Sequence, residues 1–349
     1  MEKEIFTSDL PEKFEKPSGA RIAGLLKTGD KAEIERLFLE ADNVRRMYAG
    51  DEVHLRGIIN FSNYCEKNCL YCGLRKDNSL LRRYRMEPEE IFDAARTAGE
   101  LGCRTVVLQS GEDRFYSAGD LCSLVRRVKE ELDLAVTISI GELSFAEYEK
   151  LKKAGADRYF LKFETSDPAL YKTLKPDGSY SRRFEALRRL GELGFQVGSG
   201  IMAGLPGQSP ESIARDILLF DELGLGMVGN GPFIPHPRTP LKNAAEGGLL
   251  TSLKIVALTR LVTLNAHIPA TTALGTVHTE GRRKAFQCGA NVIMPDVTPG
   301  HYREHYQIYP RKTCMNDAPR DHVDRIRQML ESMGRVISKD HGHCFSRGF

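Results

Sequence analysis

No apolar run in the 349 residues approaches the roughly 18 consecutive apolar residues that a membrane-spanning helix needs. The segment from Met1 to Lys16 is charged and has none of the apolar stretch of a secretory leader. A cytoplasmic protein with no membrane partner is therefore expected. Charge of one sign is missing too: 50 basic and 47 acidic residues are mixed along the chain, for a formal net charge of +3. That balance lacks the one-sided basic footprint of a nucleic-acid binder, so no nucleic-acid partner is expected. No repeat, low-complexity segment or long linker interrupts the chain. Cysteine is sparse, eight in all, yet three fall within eight residues. In a long cytosolic chain such a cluster favours metal binding over a disulfide framework.

What is present suits a globular protein with a substantial core: 41% hydrophobic and 28% charged residues. Residues 1–50 read as a helical extension, with Leu37, Phe38, Ala41 and Val44 at helical spacing. From about Val53 onward, short apolar runs alternate with amphipathic segments. The strand candidates are Leu55–Phe61, Thr105–Leu108, Ala135–Ile140, Arg158–Phe163, Gln196–Ala203, Met227–Ile234, Pro269–Leu274 and Asn291–Met294. Helical patterns lie between most of them, as at Pro88–Leu101, Leu121–Leu132 and Arg183–Leu193. Eight strands with intervening helices predict an α/β fold, a (β/α)8 TIM-type barrel over residues 51–349 that ends in a C-terminal helix near Arg320–Met333. A doubly wound open sheet is the structural alternative. The tail after Ser338 reads as loosely held.

Barrel chemistry sits at the C-terminal ends of the strands. That rule sends Cys65, Cys69 and Cys72, Ser110-Gly111-Glu112 and Glu164 to one mouth. The cysteines are spaced C-x3-C-x2-C. Thiolates are the usual ligands of iron–sulfur clusters, four of them when every iron is protein-bound. Three in one tight loop can hold three corners of a [4Fe-4S] cubane and leave one iron open to an amino acid's amino and carboxylate groups. A structural zinc site is the competing reading, but it wants four closed ligands and no partner pair is evident. Glycine at 111 lets backbone approach a ligand. Tyr71 reads either as a ring beside a bound base or as an apolar anchor for the loop. Cys103, Cys122 and Cys288 read as small buried hydrophobes, His236 as structural, and His301 and His305 as a solvated polar face.

These segments resemble the radical S-adenosylmethionine (SAM) superfamily. The stretches FSNYCEKNCLYCGLRKDN, VLQSGED, AGLPGQ, GPFIPHP, IPATTALGT and CGANVIMP are similar to the HydE group of [FeFe]-hydrogenase maturases over about residues 30 to 335. Methylornithine synthase and biotin synthase are the next relatives. The resemblance implies one oxygen-sensitive [4Fe-4S] cluster on Cys65, Cys69 and Cys72 and a bound SAM. It implies SAM contacts at Tyr71, Ser110, Gly111, Glu112, Ser139, Glu164 and Arg183. It puts Gln109, Thr137, Thr271, Thr272 and Met294 along the substrate cavity, with Tyr309 beside them. It further implies reductive cleavage of SAM to a 5′-deoxyadenosyl radical, driven by a one-electron donor such as a ferredoxin or flavodoxin. The substrate would be an iron–carbonyl–cyanide–cysteine synthon supplied by HydG, with HydF receiving the product.

Two departures stand out. The group's Arg-His-Glu reads Lys162-Phe163-Glu164 here, so a bidentate anion site becomes a point charge. Lys162 and Arg158 are expected to place positive charge deep in the cavity as catalytic residues, with Phe163 turned outward onto a helix. The change keeps open a paralogue acting on a small amino acid or thiol substrate. Near the C-terminus only Cys314 remains where some members carry three cysteines, and no auxiliary cluster is expected.

Overall fold

The computed structural model describes residues 14–312 and 317–344. Two helices open it, α1 (Gly19–Lys27) and α2 (Lys31–Ala49), started by side-chain caps from Ser18 and Asp30. The barrel follows in chain order. It begins with β1 (Glu52–Ser62), α3 (Pro88–Glu100), β2 (Thr105–Ser110), α4 (Ala118–Leu132), β3 (Ala135–Ser139), α5 (Phe145–Lys153) and β4 (Arg158–Phe160). Next come α6 (Pro168–Leu174), α7 (Tyr180–Glu192), β5 (Gln196–Ser199), β6 (Met202–Ala203), α8 (Pro210–Glu222), β7 (Met227–Val228) and β8 (Gly231–Pro232). It closes with α9 (Leu249–Thr263), α10 (Thr272–Val277), α11 (Gly281–Phe286), β9 (Val292–Ile293), α12 (Gly300–Arg303), α13 (Pro319–Ser332) and β10 (Val336–Ile337). Cysteine 314 lies outside the described residues.

The strands β1 to β5 and β7 pair side by side, all parallel. Single parallel bridges, Met227 to His267 and Pro269 to Val292, carry the ring on to β9. β9 pairs with β1, so eight staves close the expected barrel. β1 is buried almost along its whole length, because one face fills the barrel and the other lies under helices. Reciprocal caps at Ser117/Asp120 and Ser144/Glu147 start α4 and α5. α1 packs on α8 and α2 on α9, so the N-terminal helices share the barrel's hydrophobic core. Among the described residues no helix is long and apolar enough to cross a membrane.

Several staves are shorter than their apolar runs. The run Arg158–Phe163 stops pairing after Phe160 because the Ser199 hydroxyl inserts into the ladder: it donates to Leu161 O and accepts from Phe163 N. The runs Gln196–Ala203 and Met227–Ile234 each split in two where Gly200 and Gly229 touch; a Cβ on Gly200 would lie 2.1 Å from Gly229 O. The run Pro269–Leu274 contributes bridging residues only, then turns into α10.

Of the tail read as loosely held, residues 345–349 lie outside the described residues, and residues 341–344 are firmly bound. The Arg158 guanidinium donates to His341 O at 2.6 Å and to Gly342 O at 2.7 Å. Arg56 also donates to Gly342 O, and Cys344 N donates to Gln196 Oε1. Residues 341–344 thus cover the N-terminal floor of the barrel.

Candidate active site

At the C-terminal ends of the strands lies a cavity of about 380 Å³. Cys65, Cys69 and Cys72 share it with Tyr71, Ser110, Gly111, Glu112, Ser139, Lys162, Glu164 and Arg183. Gln109, Thr271, Thr272, Met294 and Tyr309 line it further in.

The cysteine loop between β1 and α3 is held in place by the backbone. Gly73 N donates to Ile308 O and Leu70 N to Leu174 O. Arg83 donates to Asn63 O, Leu74 O and Arg75 O, spanning the loop from behind. Gly73 must be glycine, since a Cβ would lie 2.0 Å from Gln307 O and 2.6 Å from the His236 ring. His236 is therefore structural, as read. Gly111 is pressed onto the loop as well, where a Cβ would meet Tyr64 O at 2.1 Å. Glu112 N points at Cys65 Sγ from 3.4 Å. Burial pushes the Cys65 thiol up to about 11 and raises Cys72 further, with neighbouring cysteines adding to both shifts. A trio of thiolates here is costly unless a cation compensates it.

Opposite the loop stands a carboxylate wall. Arg183 sits in the first turn of α7, fully enclosed. Its Nε donates to Glu142 Oε1 at 2.6 Å, one Nη to Lys162 O at 3.0 Å, and the other reaches Glu112 Oε1 at 3.5 Å. Burial alone would lower its pKa, but Tyr171, Glu142 and Glu112 outweigh that and hold it raised. Glu164 follows β4 with φ +67°, a left-handed conformation uncommon for a side chain of its kind. The Tyr71 hydroxyl lies 3.4 Å from Glu164 Oε1. Lys162 Nζ lies 3.0 Å from Glu164 Oε2, off the direction of a hydrogen bond. Glu112 Oε2 likewise has only Lys67 at 3.6 Å. Two buried carboxylate oxygens in one cavity therefore have no hydrogen-bond donor.

Two predicted residues are not brought to this cavity. Arg158 lies at the floor, where its donors are spent on the tail, Thr105 Oγ1 and Gln196 Oε1. Its stave starts there, and the inward alternation that selected it says nothing about depth. Thr137, its register partner on β3, is buried at that lower level and does not line the cavity. Phe163 does face outward, onto Phe184 of α7 and Phe220 of α8. Cys103, Cys122 and Cys288 are buried, as expected.

Sequence reasoning missed several lining residues. Gln109 Nε2 donates to Asn60 Oδ1 and to the Tyr306 hydroxyl. Asp296 accepts from Asn60 Nδ2 and has Lys312 Nζ 3.6 Å away. Burial lowers the Lys312 pKa, and Asp296 opposes that shift. Asn60 carried a usable signal, a polar side chain deep inside an apolar strand. Asp296, Tyr306 and Lys312 follow the last stave, where no periodicity marks them. Gly141 was missed too: with φ +83° it leaves room for Glu112, whose Cγ would be 1.9 Å from a Cβ.

A profile of the radical SAM superfamily matches residues 59–220. The chain is 47% identical over 336 residues to the [FeFe] hydrogenase maturase subunit HydE of Thermotoga maritima, covering 96% of each chain. The chain belongs to the HydE family of radical SAM proteins. It is also 30% identical over 342 residues to a 3-methylornithine synthase of Methanosarcina acetivorans, again over 96% of each. A methylornithine synthase crystal structure superposes with a TM-score of 0.83 at 29% identity, over 93% of this chain and 95% of that one. The superfamily works with a [4Fe-4S] cluster and SAM. The cavity fits both. One wall offers three thiols that need a compensating cation, and the other offers two carboxylate oxygens that accept no hydrogen bond, beside a buried arginine. The gap between them is lined by a glycine that allows close backbone approach.

Proposed function

We propose that this HydE-family member is an enzyme of [FeFe]-hydrogenase maturation, acting on the iron-bearing precursor of the di-iron subcluster. The observation that carries the reading is the single cavity joining Cys65, Cys69 and Cys72 to Glu112, Glu164 and Arg183. When bound, the cluster and SAM supply a 5′-deoxyadenosyl radical by one-electron reductive cleavage. The three thiolates would hold the cluster. Glu112 Oε2 and Glu164 Oε2, both without donors, would accept from the ammonium and the ribose hydroxyls of SAM. Arg183 holds Glu112 and Glu142 in place, and Ser110, Gly111 and Ser139 complete that side. Tyr71, wedged beside Glu164, would pack on the adenine. The inner walls from Gln109, Thr271, Thr272, Met294 and Tyr309 enclose the substrate and exclude water, since the cofactor carries the hard chemistry. Lys162, which lines the cavity beside Glu164, would meet an anionic group of the substrate. A one-electron donor protein, HydG as supplier and HydF as acceptor are the partners this role requires.

A second reading, an amino-acid mutase of the methylornithine synthase type, is favoured by Lys162-Phe163 and by that relative's 30% identity. One anaerobic assay separates the two. Formation of 5′-deoxyadenosine should rise on adding the iron–carbonyl–cyanide–cysteine synthon to the reduced enzyme. Stimulation by a small amino acid or thiol instead would reject the maturation role.

A further inference from the structure

The outer side of the cysteine loop is a separate feature from the cavity. Residues 64–85 carry six basic side chains and two acidic ones, while the whole 349-residue chain nets only +3. Lys76 and Arg82 are exposed, and Leu80 between them is 71% exposed. Among the described residues neither cation has a carboxylate within ion-pair distance. Arg238 reaches across from the loop after β8 and donates to Leu80 O, adding its own charge. This face belongs to the same loop as the thiols. Arg75 N donates to Cys72 O at 3.1 Å, and Arg83, which bonds Leu74 O and Arg75 O, is close enough to feel the charges of Cys65 and Cys72.

We propose that this face, centred on Lys76, Leu80 and Arg82, is the docking surface for an acidic one-electron donor protein. The inference rests on the radical SAM reading of the cavity and goes beyond it by locating the donor. Unpaired cations around a bare apolar side chain fit an acidic partner with an apolar contact point, since complementary charge steers encounter and fixes register. The face and the three cysteines share one loop, which suits electron transfer from a donor bound here. In that step the donor loses one electron and the cluster gains it, with no bond made or broken.

The test uses cluster-loaded protein and a purified flavodoxin as the donor probe. Binding is titrated calorimetrically with oxidised flavodoxin at about 50 mM and about 300 mM salt, where screening shortens from about 14 to about 6 Å. The double variant Lys76→Glu/Arg82→Glu should raise Kd about tenfold or more at low salt and flatten the salt response. Leu80→Ala should weaken binding a few-fold and keep the wild-type salt response. Reduction of the cluster by dithionite should be unchanged in both variants. A double variant whose Kd stays within about twofold of wild type overturns the proposal. If the glutamate pair loads less iron, the Lys76→Gln/Arg82→Gln pair replaces it, with about a threefold weakening expected and no weakening again decisive. Absence of dithionite-driven SAM cleavage in wild-type protein would instead refute the radical SAM reading, and the binding titration stands apart from it.

Discussion

Replacing Gly141 by alanine tests whether Glu112 belongs to the SAM site. The backbone there has φ +83°, and a Cβ would sit 1.9 Å from Glu112 Cγ and 2.5 Å from its Cδ. The methyl group therefore has to evict the Glu112 side chain. Gly194 provides a matched control, with φ +79° and nothing nearer to a Cβ than Lys152 Cε at 3.8 Å. Both substitutions incur the left-handed backbone penalty of about 1–2 kcal/mol. Gly141→Ala adds roughly 1–3 kcal/mol for overpacking and for parting Glu112 from Arg183. Urea unfolding should therefore rank wild type above Gly194→Ala, and Gly194→Ala above Gly141→Ala. SAM affinity, measured by titration calorimetry on cluster-loaded protein, should divide them more sharply. Loss of one charge-assisted contact costs about 1.5–3 kcal/mol, or roughly 10- to 150-fold in Kd. Gly194→Ala should bind SAM as wild type does. Equal SAM affinity in the two variants would remove Glu112 from the SAM site. Equal stability would show that Glu112 does not lie over Gly141 at all.

Cys65, Cys69 and Cys72 replaced together by alanine should abolish nearly all of the about four irons per chain that anaerobic reconstitution introduces; a cluster surviving the triple change would contradict the assignment. Glu164→Gln should weaken SAM binding by roughly 10- to 150-fold with iron content and fold intact, whereas Arg183→Ala should also cost about 3–5 kcal/mol in urea unfolding, because it strands buried Glu112 and Glu142. Arg158→Leu should lower stability by roughly 2–4 kcal/mol through release of the tail, while substrate-free SAM cleavage per folded molecule stays constant. Lys162→Met should do the reverse, cutting substrate turnover with a stability change within about 1 kcal/mol, and equal losses of both activities would place Lys162 in the SAM site.

Features written in local sequence were legible. The C-x3-C-x2-C spacing and the outward Phe163 both depend on residues within a turn or a strand of each other. Eight apolar runs were enough to give the barrel, the strand-end rule sent Cys65, Cys69, Cys72, Ser110, Gly111, Glu112 and Glu164 to one mouth, and with the residues that the resemblance added, sixteen of the eighteen candidates line one cavity. Arg158 was expected inside by alternation, which has a period but no depth, and Thr137 by the family resemblance; both lie at the lower of the two ends of the barrel interior. The tail read as loose because its anchors, Arg56, Thr105, Arg158 and Gln196, come from four different staves. Polar residues near the C-terminus of a long chain carry no mark that says which strand will receive their carbonyls. Asp296, Tyr306 and Lys312 escaped for the same reason, since only barrel closure turns them towards Asn60 and Gln109.

The Lys162-Phe163-Glu164 segment shows how the fold and the site constrain each other. A left-handed glutamate costs about 1–2 kcal/mol, and such strain persists only where the surroundings over-determine it. Here they do. Ser199 Oγ pins Phe163 N, Glu164 N donates to Gly200 O, and the Phe163 ring is locked between Phe184 and Phe220. With both neighbours fixed, the backbone at 164 has to turn left to leave the stave, and that turn aims the carboxylate across the cavity at Tyr71. Alternation alone already points residue 164 inward, since Phe163 faces out; the left-handed turn at the early end of β4 then sets the carboxylate towards Tyr71. A glycine at 164 would relieve the strain and leave the Tyr71 hydroxyl without its acceptor on that wall.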